Sequence, residues 1–235
     1  MGEGNKSVGK KDVNTDVEHE RIEKLKEFEK AAYQNGYKFL AGIDEAGRGP
    51  LAGPVVAAAV ILPPDFYAAG VNDSKKLTAR MRLALSAVIK EKALAWAICS
   101  ISPAYLDSVN IYNATREAMQ TAVMNLEIKP DFLLVDAMKL PGLSIDCQSI
   151  IKGDSLSISI ACASILAKVE RDQCMECFDS LYPQYGFARH KGYATREHLE
   201  MLSRFGACPI HRTSFEPVKT LVSGESINQQ VLFEI

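Results

Sequence analysis

The longest apolar run in the chain, Leu51 to Leu62, is cut by Gly53-Pro54 and stopped by Pro63-Pro64. Its uninterrupted part, Val55 to Leu62, is short and β-branched and reads as a buried strand. Nothing in the chain approaches the roughly 20 apolar residues that a membrane-crossing helix needs. A second strand, Lys38 to Ile43, precedes it and ends in Asp44-Glu45-Ala46-Gly47-Arg48-Gly49-Pro50. Two strands this close in sequence pair as antiparallel neighbours, and the rest of the fold must be built onto them.

Helical spacing follows over Thr78–Lys92, then a strand over Trp96–Ile101 and a helix over Tyr112–Leu126. Phe132 to Asp136 is a short buried strand with an acid at its end, and a further short strand is expected over Ser149–Ile151. A long helix is predicted over Leu156–Leu181, a loop over Tyr182–Gly192 and a helix over Thr195–Arg204. This order predicts an α/β fold around a mixed sheet, its early strands antiparallel and its later ones parallel through crossover helices. Residues 1–16 are expected to be a flexible tail and 17–36 a solvated helix. A catalytic domain is then expected over 37–205, with 206–235 as an extension packed on it.

Four acids stand out by position: Asp44 and Glu45 end the first strand, Asp136 ends a buried strand, and Asp154 follows a glycine at a helix start. Ligand sites of open α/β sheets collect at strand ends. Two carboxylates about 4 Å apart repel by about 4 kcal/mol at an effective dielectric near 20, so convergent acids need protons or cations. All-oxygen ligands favour Mg²⁺ or Mn²⁺, and a pair of such ions is suited to displacement at a phosphodiester. Singly, each acid has a plainer reading: Asp154 as a helix cap, Asp136 as an ordinary acid at a strand end, Asp44-Glu45 as a solvated turn.

Gly47-Arg48-Gly49 lets the backbone approach a ligand closely, or is simply a tight turn. Asp73-Ser74-Lys75-Lys76 places two cations at a helix start. The net charge of −2 gives no global sign of nucleic-acid binding, so any such surface must be local. Between Tyr182 and Phe215 there are five Lys/Arg, including Arg212, against two acids, interleaved with Tyr182, Tyr185, Phe187, Tyr193 and three histidines. That mixture suits a nucleic-acid groove, or is a mildly basic loop. The six cysteines, Cys174-Met-Glu-Cys177 among them, read as free thiols, and no secretory leader precedes them, so a cytoplasmic location is expected.

GIDEAGRGPLAGPVVAAAVIL (42–62) closely resembles the opening motif of bacterial type 2 ribonuclease H. So do DSKKL (73–77), NIYNATREAM (110–119), LLVDAMKLP (133–141), IIKGDSLSISIACASILAKVERD (150–172), YPQYGFARHKGYATREHL (182–199) and HRTSFEPV (211–218), in the family's order. The resemblance implies a ribonuclease H-like fold, a five-stranded mixed sheet flanked by helices with a helical C-terminal region. It implies that Asp44, Glu45, Asp136 and Asp154 bind two divalent ions, Mn²⁺ or Mg²⁺. It implies that Gly47, Arg48 and Gly49 sense a ribose 2′-OH, that Tyr193 stacks on the neighbouring deoxyribose, and that Lys75 lies near the substrate phosphate. The substrates implied are RNA–DNA hybrid duplex and duplex DNA containing single ribonucleotides, cut to leave 3′-OH and 5′-phosphate ends by a monomer. Two rivals are the related ribonuclease HIII, whose fourth acid is a Glu displaced from the position of Asp154, and a catalytically silent hybrid-binding module, against which the four intact acids speak. Gln229-Gln230-Val231-Leu232-Phe233 loosely matches a peptide that docks on a sliding clamp.

Overall fold

The structure, a computed structural model, describes residues 8–224. Two helices, α1 (Val8–Lys24) and α2 (Glu27–Gln34), lead into the hairpin of β1 (Leu40–Ala46) and β2 (Val55–Ile61). Then come α3 (Ala79–Lys92), β3 (Ala95–Ile101), α4 (Pro103–Val109), α5 (Ile111–Met124), β4 (Phe132–Asp136) and β5 (Asp146–Ile150). The long α6 (Ile158–Leu181) is followed by α7 (Phe187–His190), α8 (Arg196–Phe205) and α9 (Val218–Ser223).

The sheet has five strands in the order β3-β2-β1-β4-β5. β1, β2 and β3 pair antiparallel, and β4 and β5 add in parallel. The expected mixed direction is met, with one correction. β4 and β5 are joined not by a crossover helix but by the loop 137–145. Parallel neighbours normally need a longer connection. Here the strands are only five residues each, which shortens the return path.

Because β2 is buried on both faces, alternate residues serve different layers. Val56, Ala58 and Val60 pack with Cys162, Ile165 and Leu166 of α6. Ala57, Ala59 and Ile61 pack with Ala118, Met119 and Ala122 of α5. Gly42 of β1 permits a close sheet-to-helix contact, since a Cβ there would fall on the Ser159 backbone of α6. Thr78, Ser102, Asn110, Ser157 and Thr195 cap their helices by accepting backbone N–H bonds.

The N-terminal reading needs correction. Helix begins at Val8, where a tail through residue 16 was expected, and breaks at Leu25–Lys26 where one helix was expected over 17–36. No Gly or Pro lies between Lys10 and Asn35, so the chain can be helical without apolar periodicity. The break leaves the Leu25 carbonyl free to accept the Ile158 N–H at 2.8 Å. α4 was also missed, although Ser102-Pro103 is a cap followed by proline at the first turn. Among the described residues no helix is long and apolar enough to cross a membrane. Residues 229–233 lie outside those described.

Candidate active site

Asp44 and Glu45 lie at the end of β1, as expected, opposite Ala58 and Ala57 of β2. The ladder continues to Ala46–Val56 and carries the strand through both acids. In the parallel ladder Ile43 pairs with Val135, so Asp44 and Asp136 stand side by side one residue further on. Period 2 places both on the α6 side of the sheet: Gly42 abuts Ser159, and Leu134 packs with Ile160. The Asp136 Oδ1 accepts the Gly153 N–H at 2.7 Å, which ties β4 to the 3₁₀ turn Gly153–Ser155 and its Asp154. Asp154 does not cap α6; Ser157 does.

The charges in this cluster are uncomfortable. Burial, then Glu45 and Asp136, push the Asp44 carboxyl well above its usual range, although the Ser164 hydroxyl and the Glu45 N–H favour its charge. Burial also raises Glu45, against the pull of Arg48, and raises Asp136, with Asp154 adding repulsion. The Lys75 Nζ lies 3.2 Å from Asp154 Oδ2 and Arg48 Nη1 3.4 Å from Glu45 Oε1. Burial works against the Lys75 charge, but Asp154 outweighs it and the net shift is upward.

Among the described residues no three His, Cys, Asp or Glu side chains are close enough together to enclose an ion as they stand. The chemistry of the donor set nevertheless fits a hard divalent cation. Every donor is a carboxylate oxygen, three of the four acids resist their own charge, and two protein cations already lean on the cluster.

Gly47 (φ 94°) opens the turn after β1, and a Cβ there would strike the Arg171 guanidinium. Arg212, fully buried, donates from Nη2 to Gly47 O (2.6 Å), from Nη1 to Arg48 O (2.9 Å) and from Nε to Gly53 O (3.0 Å). Arg171, equally buried, donates to the carbonyls of Pro54, Ala52 and Lys191. In a trans peptide the N–H opposes the C=O. With the Gly47 and Arg48 carbonyls turned toward Arg212, the N–H groups of Arg48 and Gly49 therefore face the opposite side. Burial, then Arg171, push Arg212 down to about 9, which leaves it cationic at neutral pH. Sequence reasoning placed Arg212 in a basic groove and passed over Arg171; both are instead buried clasps on a turn. The signal was present, since each lies in a block of the resemblance, but a guanidinium satisfied by carbonyls leaves no charge pattern.

Tyr193 remains 44% exposed, with Arg171 and Lys168 at 5.9 and 6.0 Å from its ring. Its loop is bonded to the glycine turn, for the Leu51 N–H donates to Gly192 O at 2.8 Å and Arg171 to Lys191 O at 3.0 Å. Tyr185 and Phe187, expected to interleave with cations in a groove, are buried and stack on each other at 5.2 Å. They pack with His190, His198 and His211 because the α7 turn folds them inward.

Two of those histidines, His198 and His211, form a neutral chain. The Cys208 N–H donates to His211 Nδ1, so His211 Nε2 donates to His198 Nε2 at 3.0 Å, and His198 Nδ1 donates to Tyr193 O at 2.9 Å. Burial pushes His198 and His211 down to about 4. Unfolded histidine titrates near about 6.5, so their contribution to stability is complete above that pH and is lost as pH falls toward 4. The raised carboxylates act with the opposite sign. In an NMR titration of the folded protein both imidazoles should stay neutral from pH 7.5 to 5.5. A midpoint near 6.5 for either would contradict the chain.

A family model described as ribonuclease HII matches residues 41–218. The ribonuclease HII of Syntrophomonas wolfei subsp. wolfei is 62% identical over 218 residues, covering 92% of this chain and 86% of that protein. The ribonuclease H2 structure from Pyrococcus horikoshii OT3 superposes with a TM-score of 0.67 at 25% identity, over 80% of this chain and 98% of the other. The structure of the PCNA:RNase HII complex from Archaeoglobus fulgidus gives 0.65 at 25%, over 76% and 96%.

Proposed function

The chain belongs to the ribonuclease HII family, whose members are endoribonucleases acting on the RNA of RNA–DNA hybrids, and from that premise we propose that it also incises duplex DNA on the 5′ side of a single embedded ribonucleotide. Asp44, Glu45, Asp136 and Asp154 would hold two divalent ions, Mn²⁺ or Mg²⁺. Bound ions of this kind acidify the attacking water and neutralise charge on the departing 3′-oxygen.

The chain's own residues supply the rest. The outward N–H groups of Arg48 and Gly49 meet the ribose 2′-OH, the group that separates RNA from DNA. Lys75 steadies the scissile phosphate from beside Asp154. The Gly153 N–H aims Asp136. The ends left are 3′-OH and 5′-phosphate. The Archaeoglobus relative's complex with PCNA supports a clamp protein as partner here, and Gln229–Phe233 is the segment whose sequence loosely matches a clamp-docking peptide.

The observation that carries the ribonucleotide reading is the tie between the glycine turn and Tyr193. A backbone bond and the Arg171 guanidinium hold a half-exposed ring at a fixed offset from the N–H groups that would detect a 2′-OH. A ring packed on the next sugar has room only if that sugar lacks a 2′-OH, so the pair reads an RNA-to-DNA junction. Aromatic stacking is worth about 1–3 kcal/mol, and a sugar contact lies near the low end. Tyr193→Ala should therefore cut kcat/KM about ten-fold or more at a single ribonucleotide and less within long hybrid. Equal losses on both substrates, with a lowered melting temperature, would make Tyr193 a packing residue instead.

A further inference from the structure

We propose that Glu29, on a helix that precedes the family-matching segment, is a positioning residue for Asp154. It acts by capping α6 from outside.

An α-helix leaves its first N–H groups without partners inside the helix, and α6 is the longest helix among the described residues. Ser157 accepts the Ile160 N–H with its hydroxyl. The other first-turn donors are met from the N-terminal helices. The Ile158 N–H goes to the Leu25 carbonyl at the α1–α2 break, at 2.8 Å. The Ser159 N–H goes to Glu29 Oε1 at 3.0 Å. The same oxygen accepts the hydroxyls of Ser157, at 2.6 Å, and Ser159. A carboxylate at a helix N-terminus also opposes the helix dipole favourably.

Glu29 is 6% exposed, and its Oε2 has no hydrogen-bond partner among the described residues. It lines a cavity of about 40 Å³ with Lys26, Lys30 and Tyr33. A buried carboxylate with one oxygen unpaired is costly, and three donors converge on the other oxygen. What those donors hold is the root of the catalytic turn. The Ser157 N–H donates to Gly153 O at 2.9 Å, closing the turn that presents Asp154. The Gly153 N–H in turn holds Asp136. Glu29 thus reaches two of the four proposed metal ligands through one turn of backbone, without touching either.

This inference rests on the metal reading above, and the test separates the two. Wild type, Glu29→Ala and Glu29→Gln are compared by calorimetric Mn²⁺ binding without substrate, by amide exchange of Gly153–Ile160 without metal, and by kcat and KM on hybrid. Glu29→Ala should weaken Mn²⁺ binding about five- to ten-fold and speed exchange across the turn. It should lower kcat while leaving KM within about two-fold. Glu29→Gln keeps an acceptor oxygen and should recover most of the loss. A Glu29→Ala protein with a lower melting temperature but wild-type Mn²⁺ affinity and unchanged exchange would show a merely structural residue and overturn the proposal. Wild-type protein that binds no Mn²⁺ at these acids would overturn the metal reading and this inference with it. Altered exchange in Glu29→Ala with no Mn²⁺ bound by any form would assign that failure to the metal reading.

Discussion

Asp136→Asn should lower turnover by at least about a thousand-fold, roughly 4 kcal/mol of barrier, while the metal-free protein melts at the wild-type temperature or above it. The two halves of this result have one cause. Burial and the Asp154 charge hold the Asp136 carboxyl above its usual range. An acid whose folded pKa is raised destabilises the fold above that pKa, because the folded protein prefers the proton. The amide is permanently neutral and keeps Oδ1 for the Gly153 N–H, so the turn stays tied to β4. What it cannot do is give an anionic oxygen to a divalent cation. On the proposed metal reading Mn²⁺ would bind the assembled site and not the unfolded chain, so it should raise the wild-type melting temperature and do so much less in this variant. Near-normal activity, or an unfolded variant, would remove Asp136 from the site.

Arg212→Ala should cost roughly 3–5 kcal/mol of stability, since it strands the buried carbonyls of Gly47 and Gly53, frees the half-buried carbonyl of Arg48 and leaves a cavity. At temperatures where the variant stays folded, activity should still fall about a hundred-fold. The Gly47 and Arg48 carbonyls lose the group that turns their peptides, so the N–H groups of Arg48 and Gly49 lose their direction. Arg212→Lys should recover little of either loss, because a single ammonium cannot fork to three carbonyls. Chemical denaturation and hybrid cleavage measure the two effects. Wild-type values for both would show that the clasp is idle.

The sequence carried the mixed strand directions, antiparallel early and parallel late, because they follow from simple rules, and it proposed the four acids from where they fall along the chain. Apolar periodicity marks β2 and α6, and an acid placed where such a run ends, as Asp136 is, falls at the sheet's ligand-binding edge. It carried less where an interaction has no pattern along the chain. Arg171 and Arg212 bond to carbonyls brought close only by folding, and Arg212 reads in sequence as one more groove cation. Tyr185 and Phe187 share their block with the exposed Tyr193, and only the α7 turn sorts them inward. The start of α1 was missed because apolar spacing reports burial, whereas a polar helix is shaped by backbone propensity. The capping of α6 by Glu29 spans 128 residues, beyond the reach of any local rule.

The central claim is tested most directly by cleavage of a DNA duplex carrying one ribonucleotide, with Mn²⁺ and with EDTA. The account predicts a single incision on the 5′ side of the ribonucleotide, leaving a 3′-OH and a 5′-phosphate, and none in EDTA. A protein that cuts long hybrid but leaves this duplex intact, or that cuts it equally well in EDTA, would contradict it.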